Sequence, residues 1–359
     1  ERAGTDRSGR DALRAAADAL RVDGDVVVIW GERLSGGERG RQAVEGLIAL
    51  AGALGLADRE GSGLIEIPTV ANGRGLREVG CLPGLGPGLE DADAAGMGGE
   101  QILAAAGDDV QALLLVHLDA ERELPAATAE ALGRATSVVA FADFVTDALE
   151  EHADVVFPSE SYAEREGTVT HPDGRVQRVR QAVGHPGEVR PGWSVLAELC
   201  ERLEAPLEVR SAASATAAVA GAIPFYADLG LDEIGGKGVR WQERGAASSL
   251  PVEQPSEDAL EDPPQTPQEG MRVGAAPSLW SGRETRHAPS LRFLASEPHA
   301  ELSPADARRL EVRPGDELVI SMNGDSVRAT AVVRSGVLPG TVFLGPGSLP
   351  AGAVEVTKA

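Results

Sequence analysis

Aromatic residues are scarce, at 3% of the 359 positions, so any core must be built mainly from alanine, valine and leucine. Cysteine is nearly absent. Cys81 and Cys200 are the only two, which excludes a disulfide framework and any four-thiolate iron–sulfur or zinc site held by this chain alone. Long apolar runs are missing as well. The longest, such as Val26–Trp30 and Leu113–Val116, fall far short of the roughly 20 residues that a membrane helix needs. Positive charge is outnumbered, 33 Lys and Arg against 56 Asp and Glu, for a formal net charge of −23. Such a surface repels phosphate backbones and anionic lipid, so neither nucleic acid nor direct membrane insertion is expected. No basic-then-apolar leader is present, and a reduced, cytoplasmic setting is expected. The chain opens on Glu1 rather than Met, which suggests a portion of something longer.

What is present reads as α/β. Asp11–Arg21 has the periodicity of an amphipathic helix. Asp25–Trp30 follows as a continuous apolar run, the mark of a strand buried on both faces. A glycine turn and a helix over Gln42–Leu56 come next. The alternation recurs: strand Gln111–His117, helix Ala126–Ala135, strand Ser137–Phe141, helix Thr146–Ala153, strand Asp154–Phe157. This is the pattern of a parallel sheet. Ala71–Gly99 reads as a long glycine-rich loop, and Trp193–Leu203 as a closing amphipathic helix. Composition shifts near Arg210 to an alanine-rich connector, and Ala246–Gly274 reads as an acidic, proline-rich linker. Ser303–Leu310 then has a serine N-cap and proline at the first helical position. Runs at Glu317–Ser321, Ser326–Val333 and Thr341–Leu344, with Asn323-Gly324 between the first two, predict a small barrel. The expected division is 1–210 α/β, 211–285 connector and linker, and 286–359 barrel.

Most signals for chemistry are weak. Gly31–Gly40 lacks both the P-loop and the dinucleotide fingerprint, and a plain βα turn is the default. Gly84, Gly86 and Gly88 read as a structural loop. The six histidines are scattered without metal-ligand spacing, no G-x-S-x-G occurs, and Cys81 has no activating neighbour. Ala153–Arg178 is the dense segment. It ends a strand at Pro158 on the carboxyl edge, where open α/β sheets bind ligands, and then gathers Glu164, Glu166, Arg175 and Gln177. A ligand site and a self-satisfied polar hairpin are equally compatible with it.

That segment resembles the molybdopterin oxidoreductase family. The family pattern is matched by Ala153, Asp154, Val155, Val156 and Pro158, then Glu164, Gly167, Thr168, Gly174, Arg175 and Gln177. Pro186, Gly187, Trp193 and Leu196 continue it. Asp306-Ala307, Pro314-Gly315-Asp316, Gly324 and Pro339-Gly340 resemble the family's closing double-psi β-barrel. Three further stretches are similar to the large iron–sulfur subunits of bacterial NADH-quinone oxidoreductase, respiratory complex I: Ala71–Gly80, Thr170–Gln177 and Asp232–Trp241.

The resemblance implies a scaffold portion of the complex's peripheral arm, with no catalytic residue, metal or redox cofactor of its own. Iron–sulfur clusters would lie in a cysteine-rich region preceding it. Partners would be other peripheral-arm subunits, on the cytoplasmic face of the membrane. The alternative it implies is a catalytic molybdopterin enzyme of formate dehydrogenase type. Glu166, Gly167, Thr168, Arg175 and Gln177 would then line the pterin site. His171, where catalytic relatives have asparagine, and the lack of their closing Asn-x-Leu-Thr-like element favour the scaffold.

Overall fold

The computed structural model describes residues 7–21, 24–31, 34–35, 39–68, 70–117, 125–251, 270–276, 278–280, 282–295, 298–322, 324–345, 348–349 and 352–359. The α/β strands are β1 (Val27–Gly31), β2 (Gly63–Ile67), β3 (Ala112–Val116), β4 (Ser137–Ala142) and β5 (Val155–Pro158). A hairpin and a short strand follow: β6 (Gly167–Thr170), β7 (Arg175–Val179) and β8 (Val239–Arg240). The last six are β9 (Met271–Ala275), β10 (His299–Leu302), β11 (Glu317–Met322), β12 (Asp325–Val333), β13 (Thr341–Leu344) and β14 (Gly352–Lys358).

The chain forms two compact units. The first joins Glu1–Gly96, Glu166–Arg180 and Leu207–Gln265. It holds the parallel pair β1–β2 and the antiparallel sheet β6–β7–β8. Its core is an aromatic cluster, with Phe225 and Trp241 ring centroids 4.5 Å apart and Tyr226 edge-on to Phe225. Three of the twelve aromatic residues meet here, beside the aliphatic Val176, Ile223, Leu229 and Ile234.

The second unit joins Met97–Arg165, Gln181–Pro206 and Thr266–Ala359. It holds the parallel sheet β3–β4–β5, covered by helices Gly99–Ala105, Pro125–Arg134 and Asp147–His152 through Leu103, Ala131, Leu132 and Leu149. It also holds a closed six-stranded barrel in the order β10-β12-β11-β14-β9-β13. Leu302, Leu318, Ile320 and Val342 fill the barrel. The fold is thus α/β with parallel sheets, followed by a small double-psi barrel.

Several sequence expectations change. β1 is not buried on both faces: Val27 is 47% and Ile29 63% exposed, because β1 pairs only with β2 and one side of that pair has no cover among the described residues. β3 likewise alternates, with Leu113 and Leu115 buried and Leu114 and Val116 open. The glycine-rich stretch after Ala71 is not wholly irregular, since Gly73–Glu78 is helical. The alanine-rich connector is the helix Ala212–Ala222, with a capping serine at Ser211. Met271–Ala275, inside the stretch read as linker, is a barrel strand that pairs with β13 and β14. Most of the rest of that linker, and Asn323 of the expected turn, lie outside the described residues. β11 and β12 still pair directly across the turn, Met322 opposite Asp325.

Candidate functional site

In the first unit, three segments far apart in sequence converge on one buried carboxylate. Helix Gly73–Glu78 carries Glu78, which is 3% exposed. Burying a charge is costly unless it is paired and hydrogen-bonded, and every partner here supplies one of those two. Arg74 Nε donates at 2.8 Å, one helical turn away. Trp241 Nε1 donates at 3.2 Å, and the Tyr226 hydroxyl donates to the other oxygen. Burial beside Glu78 pushes the Tyr226 hydroxyl far above its ordinary pKa, so it remains a proton donor. The Arg74 guanidinium also lies over the Trp241 ring, 5.4 Å from the centroid, and donates to the Pro172 carbonyl.

The hairpin β6–β7 is fastened to this carboxylate. Thr170 Oγ1 is 3.1 Å from the Tyr226 hydroxyl, and its N–H donates to Asn72 Oδ1 at 2.8 Å. At the turn, His171 Nδ1 lies 2.8 Å from Asp173 Oδ1, which also accepts the Arg175 N–H at 2.9 Å. Burial raises the Asp173 pKa, but these bonds and nearby Arg240 outweigh it and hold the carboxyl below its usual range. β8 adds Arg240 opposite Arg175 and Val239 opposite Val176. Gly238 makes that approach possible. It has φ +73°, and a Cβ there would sit 2.7 Å from the Val176 carbonyl and against the stems of Gln177 and Arg175.

The five residues read from sequence as a pterin set do not share one face. Strand alternation puts Gly167, Arg175 and Gln177 on one side of the hairpin, and Thr168 on the other with Thr170 and Val176. Glu166 is held by Arg178 Nη2 at 2.8 Å. Gln177 is exposed and Arg175 half-buried. As a donor set for one molybdopterin they do not fit, and no chemical step is derived through that group. Asn72, Arg74, Glu78, Tyr226 and Trp241 were missed by residue-level reading. The stretches of Asn72, Arg74, Glu78 and Trp241 carried a signal only through the resemblance, and Tyr226 carried none.

The second unit has a polar cluster at the carboxyl edge of its parallel sheet. His117 follows β3, Asp143 follows β4 and Ser159 follows β5. Arg165 Nη2 lies 3.1 Å from His117 Nδ1. Ser159 Oγ is 3.4 Å from His117 Nδ1, but its proton goes to Asp143. The carboxylate contacts the serine and the same ring nitrogen rather than the far one. This is not the serine–histidine–carboxylate order of a nucleophilic triad. Among the described residues, no group of three or more His, Cys, Asp or Glu is placed to hold a metal ion.

The Molybdopterin oxidoreductase family profile matches residues 11–202, more than half of the chain. This chain belongs to the molybdopterin oxidoreductase family. A second profile, the molydopterin dinucleotide binding domain, matches residues 277–356, over most of the barrel. Among curated relatives, the NADPH-Fe(3+) oxidoreductase subunit alpha of Geobacter sulfurreducens is 31% identical over 347 residues, covering 92% of this chain and 40% of its own length. The F420-dependent formate dehydrogenase 2 subunit alpha of Methanococcus maripaludis is 27% identical, covering 82% and 49%. The NADH-quinone oxidoreductase G subunit of Streptomyces coelicolor is 29% identical, covering 94% and 42%. This member of the family therefore spans less than half the length of those relatives. Among solved structures, acetylene hydratase from Pelobacter acetylenicus shares the fold, with a TM-score of 0.52 at 15% identity, covering 71% of this chain and 40% of that one.

Proposed function

We propose that this molybdopterin oxidoreductase family member is a structural portion of the large subunit of an NADH-quinone-oxidoreductase-type assembly. It would support a cluster-bearing region and pack against other peripheral-arm subunits, at the cytoplasmic face of the membrane, without a redox cofactor of its own. One observation carries the reading. The three stretches similar to the large iron–sulfur subunit, Ala71–Gly80, Thr170–Gln177 and Asp232–Trp241, form one network around Glu78. Asn72, Arg74, Glu78, Thr170 and Trp241 spend their polar groups on one another or on Tyr226, which suits a rigid support. Relatives named as NADH-quinone oxidoreductase subunits, from Streptomyces coelicolor and Rhizobium meliloti, match over 94% and 93% of the chain. No described helix is long and apolar enough to cross a membrane.

A second reading, a catalytic molybdopterin enzyme of formate dehydrogenase type, is favoured by one residue. Arg175 makes no side-chain ion pair among the described residues, and a free guanidinium suits phosphate oxygens. Molybdenum, tungsten, pterin and iron content of the native full-length protein separates the two. Iron alone is the expected result, and stoichiometric molybdenum or tungsten with pterin would overturn the scaffold. Under the scaffold reading, replacing Glu166, Arg175 or Gln177 lowers the amount of assembled complex more than turnover per complex.

A further inference from the structure

Strands of a purely parallel sheet are covered by helices on both faces. Among the described residues, helices cover one face of the sheet β3–β4–β5. Its strands lie in sequence order, so both crossovers step the same way, and right-handed connections put their helices on the same side. Leu132 from Pro125–Arg134 and Leu149 from Asp147–His152 do pack on the same core with Leu113, Leu115, Val138 and Ala140. These two crossovers therefore cannot reach the other face.

That other face is apolar and in register. Leu114 lies opposite Val139, and Val139 opposite Val155, in one row across three strands. Val116 stands two residues along from Leu114 on the same side. Leu114 is 53%, Val116 50% and Val155 44% exposed, with Val139 half-buried between them; Phe141, opposite Val116 on the same side, is buried against Phe157, so the open part of the face is the patch around Leu114, Val116 and Val155. No charged side chain interrupts the row. Neighbouring strands lie about 4.8 Å apart, so the row is about 10 Å wide, the width of one helix.

We propose that this face docks an amphipathic helix from the polypeptide that corresponds to the part of the relatives outside the matched region. Those relatives are more than twice the length matched here, the chain spanning 40%, 49% and 42% of three of them. A helix is the cover that parallel strands take. A second copy would instead set sheet against sheet, which purely parallel sheets do not use. The proposal goes beyond the scaffold reading and is independent of it, since either function leaves the face to be covered.

The test uses the native full-length assembly purified from the cells that make it. Leu114→p-benzoylphenylalanine and Val155→p-benzoylphenylalanine are crosslinked by light and mapped by mass spectrometry, with Arg328→p-benzoylphenylalanine on the exposed barrel surface as control. Both sheet positions are expected to label one helix of the polypeptide outside the matched region, and the control is expected not to. Labelling of a second copy, of another segment of the same 359 residues, of an unrelated subunit, or none above the control would overturn the proposal. A second variant removes dependence on the probe. Leu114→Lys, at an already exposed site, is expected to preserve the circular dichroism of the chain. It should lower helix retention, read as co-purification or protease protection of that helix, about tenfold. Unchanged retention would also overturn the proposal. Metal and pterin content does not bear on either readout, so failure here is distinct from failure of the functional reading.

Discussion

Glu78 and Asp306 are both buried carboxylates that fasten segments of the molecule together, but they are built differently. Asp306 is held mostly by its own neighbourhood. Ser303 Oγ donates to it at 2.6 Å and Arg309 Nη2 at 2.9 Å, both three residues away, and only the Gly340 N–H, at 2.8 Å, comes from a distance. Glu78 takes one local donor, Arg74, and two others 148 and 163 residues further on. Local donors are present as soon as a helix turn forms. Distant ones require the whole unit to assemble first. The barrel corner can therefore form early, whereas the Glu78 network acts as a check on completed tertiary structure.

The largest expected effect breaks the distant network. Glu78→Ala leaves Arg74 without its carboxylate inside the unit, and removing one partner of a buried pair costs about 3–5 kcal/mol. Amide hydrogen exchange of β6 and β7 should rise accordingly, with the barrel amides unchanged. Protection in the hairpin equal to wild type would show that Glu78 is not its fastening. Gly238→Ala follows. It forces a side chain into a left-handed backbone and against the Val176 carbonyl, at a cost of about 1–3 kcal/mol. The same hairpin amides report it, and a neutral result would mean that β8 does not need its close approach.

The pH response sharpens the contrast. Burial raises the Asp306 pKa, but Ser303, the Gly340 N–H and Arg309 outweigh it and hold the carboxyl below its ordinary value of about 3.9. A depressed folded pKa gives stability that is present above the unfolded value and lost as pH falls through the folded one. Barrel stability, measured by denaturant unfolding with β10–β13 exchange as reporter, should decline below about pH 4. Asp306→Asn should flatten that decline, and an unaltered slope would remove Asp306 as its source. The smallest effect is Ser303→Ala, which removes the cap that accepts the Asp306 N–H and the hydroxyl that donates to its carboxylate, at about 1 kcal/mol. Its exchange signature should be confined to helix Pro304–Arg309, and spread through the whole barrel would contradict a local role.

The same distinction explains what the sequence disclosed. Ser303 and Pro304 announce a helix start by their positions alone, and the helix is there with Ser303 as its cap. The parallel strands β3, β4 and β5 were legible because apolar runs and helical periodicity alternate over short distances. β2 and β14 escaped because five and seven residues of mixed polarity look like loop and tail until their partners are known. Glu78 escaped for a similar reason. Within GRGLRE it is an ordinary polar residue, and nothing local says that Tyr226 and Trp241 will close over it. The resemblance singled out the three stretches around it, but not that they touch.

The barrel also sets a schedule for synthesis. β14, residues 352–358, pairs on one side with β11 and on the other with β9, the first barrel strand made. β9 therefore waits through more than 75 residues of translation for one of its two neighbours. Until residue 358 leaves the ribosome exit tunnel, the nascent barrel presents two open strand edges, and that interval is when a chaperone has most to protect.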